Sequence, residues 1–230
     1  MIPTYNEAQN IEPLLRQILR LIPEARLIVV DDASPDGTGE CVKKIAADFS
    51  QVELISRTGA RGRGLAGVQG FEYAVQKGYD PILEMDADGS HAPEKIPDFL
   101  EAARSHDVVI GSRYLKKGAI KNRGMLRNAL SGMANGAIRV FLKMPYKDCT
   151  SGFRCFRKKA LESIDLSSMV STGPSIVFEV LEVCHRKGFD IVEIPIDFLN
   201  RERGDSKLTI GKLADAFGMI FKIRAKGKNR

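Results

Sequence analysis

The sequence predicts a single α/β domain, with a mostly parallel sheet covered by helices on both faces. Short β-branched runs, such as residues 26–30 and 107–110, alternate with segments of helical periodicity. Repeated β-α-β units of this kind produce a parallel sheet with helices on its two faces. The length of 230 residues suits one large domain and hardly allows a second.

The order of the predicted elements follows from apolar periodicity and turn residues. Only Met1 and Ile2 precede Pro3, so we expect that either the first strand is unusually short or the chain begins late. The next strands are predicted at residues 26–30, 52–55, 81–85 and 107–110. Helices are predicted at residues 6–21, after Gly37, and at residues 65–77 and 93–104. Gly78 is expected to end the third helix as a C′ glycine.

The regular alternation of predicted strands and helices ends after Arg113. A basic loop and one amphipathic helix are predicted for residues 114–147. A strand at 152–156, a helix at 175–187, a strand at 191–199, a loop at 200–207 and a last amphipathic helix follow. No window approaches the roughly 18 unbroken apolar residues that a membrane span needs.

The charge and cysteine content limit the classes of protein. The formal net charge is +6, with basic excess at residues 113–147 and 222–230. Such patches attract nucleic acid, an anionic membrane surface or a phosphorylated substrate, and charge alone does not choose among them. The four cysteines are widely spaced, so reduced thiols of a cytoplasmic protein are expected rather than disulfides or a zinc site.

Polar side chains follow four of the predicted strands at the point where each strand ends. They are Tyr5 and Glu7, Asp31 and Asp32, Asp86 and Asp88, and Arg113. In an open parallel sheet, ligands bind beyond the carboxyl ends of the strands, near the reversal of strand order. A single acidic residue there is commonly only a helix cap. Four clusters on one edge favour a ligand site.

Asp86 and Asp88 form the sharpest local pattern, an Asp-Ala-Asp sequence at a strand end. Side-chain direction repeats every two residues, so both carboxylates can face one ligand. Mg²⁺ and Mn²⁺ take carboxylate oxygens and fill their other positions with water and substrate phosphate. A cation held there can neutralise a diphosphate leaving group as a Lewis acid. An isolated Asp-x-Asp often occurs by chance, so the prediction depends on the position of this one at a strand end.

Basic residues in the loops and helix starts of the second half are candidate phosphate ligands. They are Arg113, Arg127, Arg201, Arg203 and Lys207. The alternative is a solvated basic surface, which we favour for Arg203. The glycine-rich loop of residues 57–64 can also present N–H groups to an anion, although it is neither a P-loop nor a dinucleotide fingerprint.

Six sequence blocks together resemble the ordered motifs of polyprenol- or dolichol-phosphate mannose synthases. They are Pro-Thr-Tyr-Asn-Glu at 3–7, Val-Asp-Asp at 30–32, Asp-Ala-Asp at 86–88, Gly-Ser-Arg-Tyr at 111–114, Asp-x-x-Ser-Gly-Phe-Arg at 148–154 and Arg-x-x-Gly-x-Ser-Lys at 201–207. Those enzymes are inverting family 2 glycosyltransferases with the GT-A fold, a Rossmann-like α/β domain. The resemblance covers nearly the whole chain, and the last two blocks are the more specific to this subfamily.

The resemblance implies roles for individual residues. The nucleotide-sugar site would comprise Pro3, Tyr5, Glu7, Val30, Asp32, Asp86, Ala87, Asp88, Arg113, Arg201 and Lys207. Its catalytic residues would be Asp88, Arg113, Arg201 and Lys207. The metal, Mg²⁺ or Mn²⁺, would be held by Asp86, Asp88 and Ser90. The phosphate of the lipid acceptor would be bound by Arg127 and Ser131.

The same resemblance divides the domain into two halves. Residues 1–113 would bind the nucleotide-sugar, and residues 114–230 would bind the acceptor and carry the amphipathic helices. Two positions depart from the family pattern, which often has Gln where Ser90 stands and Lys where Ala60 stands. We therefore expect water to complete the cation site and no lysine contact from the glycine-rich loop.

The implied activity is transfer of mannose from GDP-mannose to a polyprenyl or dolichyl phosphate, with inversion at the anomeric carbon. A phosphate monoester is already anionic at neutral pH, so the resemblance implies direct displacement without a general base. The alternatives are the same transfer from another donor such as UDP-glucose, a nucleotidyltransferase, and a non-catalytic membrane- or nucleotide-binding domain.

The expected partners follow from the acceptor. An apolar lipid chain stays in the bilayer, so the protein is expected on the cytoplasmic face as a peripheral membrane protein. Residues 125–142 and the last helix are the candidate contacts with the membrane surface, and the alternative is that their apolar stripes pack on the sheet. A small membrane subunit is an alternative partner for the last helix. Nucleic acid is not expected, because the carboxylates at the sheet edge would repel its phosphates.

Overall fold

The structure, a computed structural model, describes residues 1–115, 119–120, 125–198 and 210–228, with backbone alone at 119–120, 125–128, 210–217 and 228. Its strands are β1 (Ile2–Thr4), β2 (Leu27–Asp31), β3 (Val52–Ser56), β4 (Ile82–Glu84), β5 (Val108–Ser112), β6 (Ala119–Ile120), β7 (Arg154–Phe156), β8 (Ile191–Pro195) and β9 (Asp197–Phe198). Its α-helices are α1 (Ala8–Leu21), α2 (Thr38–Asp48), α3 (Arg63–Gln76), α4 (Ile96–Ala102), α5 (Met125–Phe141), α6 (Lys158–Glu162), α7 (Ile176–Arg186) and α8 (Ile210–Lys228). Short 3₁₀ helices lie at Pro93–Lys95 and Leu166–Ser168.

The central strands run in the order β3-β2-β1-β4-β7-β5-β8. Strands β1, β2 and β3 pair in parallel, with Ile2 opposite Val29. Met1 connects this group to the other four strands: its nitrogen donates to the Leu83 carbonyl at 2.7 Å, and its carbonyl accepts from Met85 N–H at 3.2 Å. The strand order therefore reverses between β1 and β4, where a ligand cleft is expected.

The prediction of a mostly parallel sheet is confirmed, with one antiparallel strand. Strand β7 lies between β4 and β5 and runs antiparallel to both, whereas β5 and β8 pair in parallel. The chain returns from the second half to insert β7, which brings Arg154 opposite both Glu84 and Ile110. A strand from the second half of the chain thus lies between two strands of the first half.

Helices cover both faces of the sheet, as predicted. One core cluster contains Ile11 of α1, Val42 of α2 and Phe99 of α4. The other contains Phe71 of α3, Leu161 of α6 and Ile176 of α7. Successive residues of β2 point to opposite faces, so Val29 joins the first cluster and Val30 the second. A third cluster joins α5, α7 and α8 through side chains such as Ile138, Leu181 and Ile220.

Several predicted elements differ from the structure at their boundaries. The helix predicted at 93–104 begins as the 3₁₀ helix and ends as α4 at Ala102, and the strand predicted at 191–199 is divided into β8 and β9. The sequence interpretation missed β6, α6 and the second 3₁₀ helix, which are all five residues long or shorter. Gly78 follows α3 with φ of +76°, which a C′ glycine requires.

All four cysteines are free thiols, as expected. Among the described residues, no helix combines the length and the apolar character needed to cross a bilayer.

Candidate active site

A cleft of about 610 Å³ opens at the carboxyl ends of β1, β2 and β4, where the strand order reverses. Seven of the residues predicted for the nucleotide-sugar site line it: Pro3, Tyr5, Glu7, Asp32, Asp86, Ala87 and Asp88. A second cavity of about 360 Å³ lies at the opposite end of the strands and is lined mainly by apolar side chains. We place the functional site in the larger cleft, because the carboxylates converge there and ligands of open parallel sheets bind at that edge.

Tyr5 and Arg61 form one wall of the cleft. Tyr5 lies in the turn between β1 and α1, and Arg61 comes from the glycine-rich loop before α3. The guanidinium of Arg61 lies 5.1 Å from the centroid of the Tyr5 ring, and its Nη1 donates to the tyrosine hydroxyl at 2.9 Å. Its Nη2 donates to the Ala33 carbonyl at 3.1 Å. An aromatic ring under a guanidinium gives this wall a planar surface with an exposed cation.

Asp32 holds the glycine-rich loop against the cleft. Its Oδ2 accepts the backbone N–H of Gly62 at 2.6 Å, and its Oδ1 forms an ion pair with Arg57. Both side chains are largely buried, so the pair is shielded from solvent. The loop predicted as an anion binder is thus fixed to the end of β2.

Val30 does not line the cleft. Its side chain is completely buried in the core cluster between β2 and α3, and only its carbonyl approaches the site, 3.4 Å from the Thr4 hydroxyl. The role of Val30 in the nucleotide-sugar site stays a prediction, and a contact there would come from its backbone rather than its side chain.

The acidic pair occupies the opposite part of the cleft. Asp86 Oδ1 accepts from Arg63 at 2.9 Å (Nη2) and 3.3 Å (Nε). Asp88 is nearly buried, and its Oδ1 accepts both the N–H of Ser90 at 3.0 Å and the Ser90 hydroxyl at 2.5 Å. Ser90 is 1% exposed, so its hydroxyl orients the Asp88 carboxylate in this structure.

A buried network of charges supports the acidic pair from below. Glu84 of β4 faces Arg154 of β7 across the sheet, and its Oε1 lies 3.2 Å from Arg63 Nη1. Burial raises the pKa of Glu84 and lowers that of Arg154 to about 10. Burial also opposes the charge of Arg63, but the carboxylates of Glu84 and Asp86 outweigh it and raise the arginine's pKa. Two cations and two anions are thus packed together directly beneath the cleft.

Arg154 is the largest completely buried side chain of the domain. It donates to the carbonyl oxygens of Cys149 at 2.7 Å and of Val177. It therefore ties the strand that carries the Ser-Gly-Phe-Arg block to α7. The structural role of this arginine explains why the block ends in Arg.

Gly152 of the same block lies against the acidic pair. A Cβ atom at this position would sit 2.8 Å from Arg63 Nη2 and 3.1 Å from Asp86 Oδ2. Only a residue without a side chain fits there unless both partners move. The glycine of this block thus allows Arg63 and Asp86 to meet beside β7.

A loop before α7 closes the side of the cleft. Gly64 donates to the Thr172 carbonyl at 2.9 Å, and a Cβ on Gly64 would lie 2.4 Å from the Ser171 carbonyl. The buried carboxylate of Glu179 fixes the loop by accepting the N–H groups of Val170 and Ser171 at 2.9 and 2.8 Å. Sequence reasoning missed this loop, because no charged or aromatic residue marks it.

The buried guanidinium of Arg113 forms an ion pair with the carboxylate of Asp148. Its Nη2 also donates to the hydroxyl of Thr150 at 2.6 Å, and Thr150 lines the cleft. Burial opposes both charges, yet their pairing raises the pKa of Arg113 and lowers that of Asp148. Direct contact between Arg113 and a diphosphate remains a prediction, whereas the ion pair is a feature of the structure.

The remaining predicted ligands are described in part or not at all. Arg201, Arg203 and Lys207 lie outside the described residues. Arg127 is in the first turn of α5, where only the backbone is described, and Ser131 follows one turn later and is half-buried. Residues four apart share a helix face, so the two remain compatible with one acceptor site.

Two arginines of the cleft lining were also not singled out from the sequence. Arg61 and Arg63 both line the cleft. The sequence does indicate these residues, because the two arginines alternate with glycines in the loop of residues 57–64. We considered only the backbone N–H groups of that loop as anion ligands.

An acidic pair and a nucleotide-sized cleft at the switch point of such a sheet are what a nucleotide-sugar transferase requires. The sequence profile of glycosyl transferase family 2 matches residues 1–165. The chain belongs to this family and is a glycosyltransferase, as predicted.

Curated relatives match nearly the entire chain. Undecaprenyl-phosphate mannosyltransferase of Micrococcus luteus is 40% identical over 94% of this chain and 89% of its own length. Polyprenol monophosphomannose synthase of Mycolicibacterium smegmatis is 39% identical over 97% of this chain and 84% of its own length. Dolichol-phosphate mannosyltransferase of Pyrococcus furiosus is 37% identical over 97% of this chain but only 62% of its own length.

Solved structures agree on the fold. Glucosyl-3-phosphoglycerate synthase of Mycobacterium tuberculosis, in complex with Mn²⁺, UDP-glucose and phosphoglyceric acid, superposes with a TM-score of 0.69 at 16% identity. The match covers 97% of this chain and 78% of the other. The chain therefore has a GT-A-like fold, as predicted.

Proposed function

We propose that the protein transfers mannose from GDP-mannose to a polyprenyl phosphate, with inversion at the anomeric carbon. The observation that carries this proposal is the identity of 37–40% to three relatives, all named as mannose synthases or mannosyltransferases of polyprenyl lipids, across at least 94% of the chain. The cleft supports it, because the first three sequence blocks converge on one edge of the sheet.

The donor's nucleoside would bind between Tyr5, Arg61 and Glu7. Tyr5 and Arg61 provide a planar wall for a base, and Glu7 is a half-buried carboxylate on the same rim. Guanine carries an N2 amino donor as well as O6 and N7 acceptors, so it offers partners to both a carboxylate and a guanidinium. Uracil lacks the amino donor. This difference favours GDP over UDP.

The cation site would use Asp86 and Asp88. Among the described residues, no group of three or more histidine, cysteine or acidic side chains gathers for a metal ion. Two carboxylates leave the remaining positions to water and the donor diphosphate, which suits Mg²⁺ or Mn²⁺. The cation would supply Lewis-acid stabilisation of the departing GDP.

The transfer itself needs positioning more than proton chemistry. An acceptor phosphate oxygen would form the new bond to the anomeric carbon, while the bond to the β-phosphate oxygen breaks and GDP leaves with its electron pair. The attacking oxygen is already anionic, so no side chain needs to remove a proton. Arg127 and Ser131 would hold the acceptor phosphate, and Arg201 and Lys207 would lie with Arg113 around the diphosphate. These cations would offset the repulsion between the two anionic substrates.

The halves of the chain would divide these tasks. Residues 1–113 supply most of the cleft lining, which supports a nucleotide-sugar role, and residues 114–230 supply α5 and α8 for the acceptor. The two halves meet where β7 pairs with β4 and β5, and a Cβ atom on Gly152 just before β7 would lie 3.1 Å from Asp86 Oδ2.

The protein would reach its lipid acceptor from the membrane surface on the cytoplasmic side. Val140 and Met133 of α5 and Phe221 of α8 are 74%, 59% and 57% exposed. The rings of Phe141 and Phe221 lie 5.5 Å apart and join the two helices into one apolar patch. Exposed basic residues flank the patch: Arg139, Lys143 and Lys222. Apolar area and basic charge together favour an anionic bilayer.

Vesicle flotation tests this location. Binding to vesicles with anionic lipid should weaken with salt and with Val140→Glu, while Leu21→Glu at the end of α1 serves as a control. Absence of binding at low salt would contradict direct contact and favour recruitment by a small membrane subunit.

A thermal-shift panel tests the donor. In the presence of Mn²⁺, GDP should raise the melting temperature more than UDP or ATP does. A larger shift with UDP would favour the UDP-glucose alternative, and no shift with any nucleotide would contradict a nucleotide-sugar transferase.

A further inference from the structure

Arg63 places a fixed positive charge beside the proposed cation ligand. It is the first residue of α3, and its side chain is 20% exposed at the floor of the cleft. Nη2 lies 2.9 Å from Asp86 Oδ1, and Nη1 lies 3.2 Å from Glu84 Oε1. The guanidinium therefore bridges one buried carboxylate and one that faces the cleft.

The surroundings of Arg63 prevent it from moving aside easily. Nη1 is shielded from solvent and faces the buried Glu84, which Arg154 flanks across the sheet. Gly152 packs close to Nη2 on the other side. If Arg63 moved away, the buried carboxylate of Glu84 would lose a neighbouring positive charge, which is unfavourable in the protein interior. The positive charge is thus a permanent part of the site.

This charge acts in opposite ways on the two components of a metal–nucleotide complex. A divalent cation bound to Asp86 would lie close to the guanidinium and be repelled by it. A diphosphate would be attracted by both positive charges. The site therefore binds the cation most tightly when a diphosphate binds together with it.

We propose that Arg63 is a positioning residue that makes tight cation binding depend on the donor's diphosphate. It holds Asp86 in place and satisfies its charge in the empty cleft, so that the acidic pair binds a divalent cation tightly only together with a nucleoside diphosphate. The inference rests on the proposed function for the nature of the donor.

The test is Mn²⁺ binding to the purified protein, measured by the loss of the electron paramagnetic resonance signal of free Mn²⁺ and corrected with a titration of Mn²⁺ into GDP without protein. The wild-type protein should bind Mn²⁺ at least about tenfold more tightly with GDP than without it, the size of effect expected of one neighbouring charge. The double variant Arg63→Met/Glu84→Gln removes the cation without leaving a buried carboxylate. It should bind Mn²⁺ more tightly in the absence of GDP, so the dependence on GDP should shrink.

Arg104→Met is the control. It removes a positive charge from an exposed ion pair with Glu101, and Arg104 does not line the cleft. Its affinity for Mn²⁺ without nucleotide should stay within about twofold of wild type. Circular dichroism of each variant checks that the fold is retained.

Three results would overturn the inference. They are equal Mn²⁺ affinity with and without GDP in the wild type, no gain of nucleotide-free affinity in the folded double variant, and no Mn²⁺ binding under either condition. The assay contains neither sugar nor lipid. A protein that binds Mn²⁺ and GDP as expected but transfers no mannose would contradict the proposed function and leave this inference intact.

Discussion

Arg113 and Asp148 form a two-point ion pair, with Nε 2.7 Å from Oδ2 and Nη2 2.8 Å from Oδ1. The backbone N–H of Arg113 also donates to Oδ2 at 3.0 Å. The side chains are 8% and 0% exposed. The pair joins the end of β5 to the segment before β7 and thereby holds Thr150 at the cleft. Two sequence blocks that resembled separate motifs are thus one structural unit.

Asp148→Asn should lower the free energy of unfolding by about 3 kcal/mol at pH 7, because Arg113 would remain buried without its counter-charge. Chemical denaturation measures the difference. Asp98→Asn is the control, since Asp98 makes an exposed pair with Lys95 and should change stability by less than about 1 kcal/mol. Equal effects of the two substitutions would contradict the structural role of the pair.

The same pair predicts a pH dependence. Although burial opposes the charge, Arg113 lowers the pKa of Asp148 below its ordinary 3.8. A carboxylate with a depressed folded-state pKa stabilises the protein above its unfolded pKa, and this contribution is lost as the pH falls through the folded-state value. The stability gap between wild type and Asp148→Asn should therefore be constant from pH 7 to about 5 and shrink below about 4. A gap that closes near pH 6 would rule out this carboxylate as its source.

Asp88→Asn should abolish both sugar transfer and the Mn²⁺-dependent part of the GDP thermal shift. The carboxylate lies at the floor of the cleft, and loss of one such charge at a developing diphosphate costs at least about a hundredfold in rate. The amide still accepts from Ser90, so the melting temperature without ligand should change little. Activity within a few-fold of wild type would remove Asp88 from the cation site.

Gly152→Ala should weaken donor and cation binding. The added methyl group would lie 2.8 Å from Arg63 Nη2 and 3.1 Å from Asp86 Oδ2, so the side chains of the acidic site have to shift. The KM for the donor should rise about tenfold, whereas the KM for the acceptor stays close to wild type. Gly218→Ala is the control, because a Cβ on Gly218 meets nothing within 4 Å. An unchanged donor KM in Gly152→Ala would show that the contact of Gly152 with the acidic pair has no role in binding.

Arg127→Ala should weaken the lipid acceptor and leave donor binding almost intact. Arg127 opens α5, one turn before Ser131, on the side of the domain proposed for the acceptor. The acceptor KM should rise about tenfold or more, since one charge-assisted contact to a phosphate is lost. Arg139→Ala, an exposed change on the same helix, should have a smaller effect. A rise confined to the donor KM would reassign Arg127 to the nucleotide side.

Much of the fold was predictable because the signals are local. The apolar period of α1 and the β-branched run of β2 each identify one element, and alternation of such elements indicates a parallel sheet. The insertion of β7 was not predictable, because the direction and neighbours of a strand depend on contacts distant in sequence. Arg154 illustrates this point: its block was recognised from the sequence, but its burial between β7 and α7 was not.

The site was predictable to a similar degree. Tyr5, Asp32 and Asp86 each follow a strand, and we therefore expected them to lie close together. They line one cleft, because the carboxyl ends of adjacent parallel strands meet at one edge of the sheet. The same reasoning assigned Arg113 to a phosphate, which stays a prediction, and it did not reveal the ion pair with Asp148. The role of Val30 also stays a prediction, because alternation along β2 directs its side chain into the core and leaves only its backbone for the nucleotide.

The most direct test of the account is mannose transfer by the purified protein from radiolabelled GDP-mannose to a short-chain polyprenyl phosphate in the presence of Mn²⁺ or Mg²⁺. Label should appear in the lipid fraction with the phosphate-bearing acceptor and not with the corresponding polyprenol, because the phosphate oxygen is the nucleophile. Asp88→Asn should give no labelled lipid, and Asp98→Asn should match the wild type. Transfer from UDP-glucose but not from GDP-mannose, or equal labelling of the polyprenol, would contradict the proposed reaction.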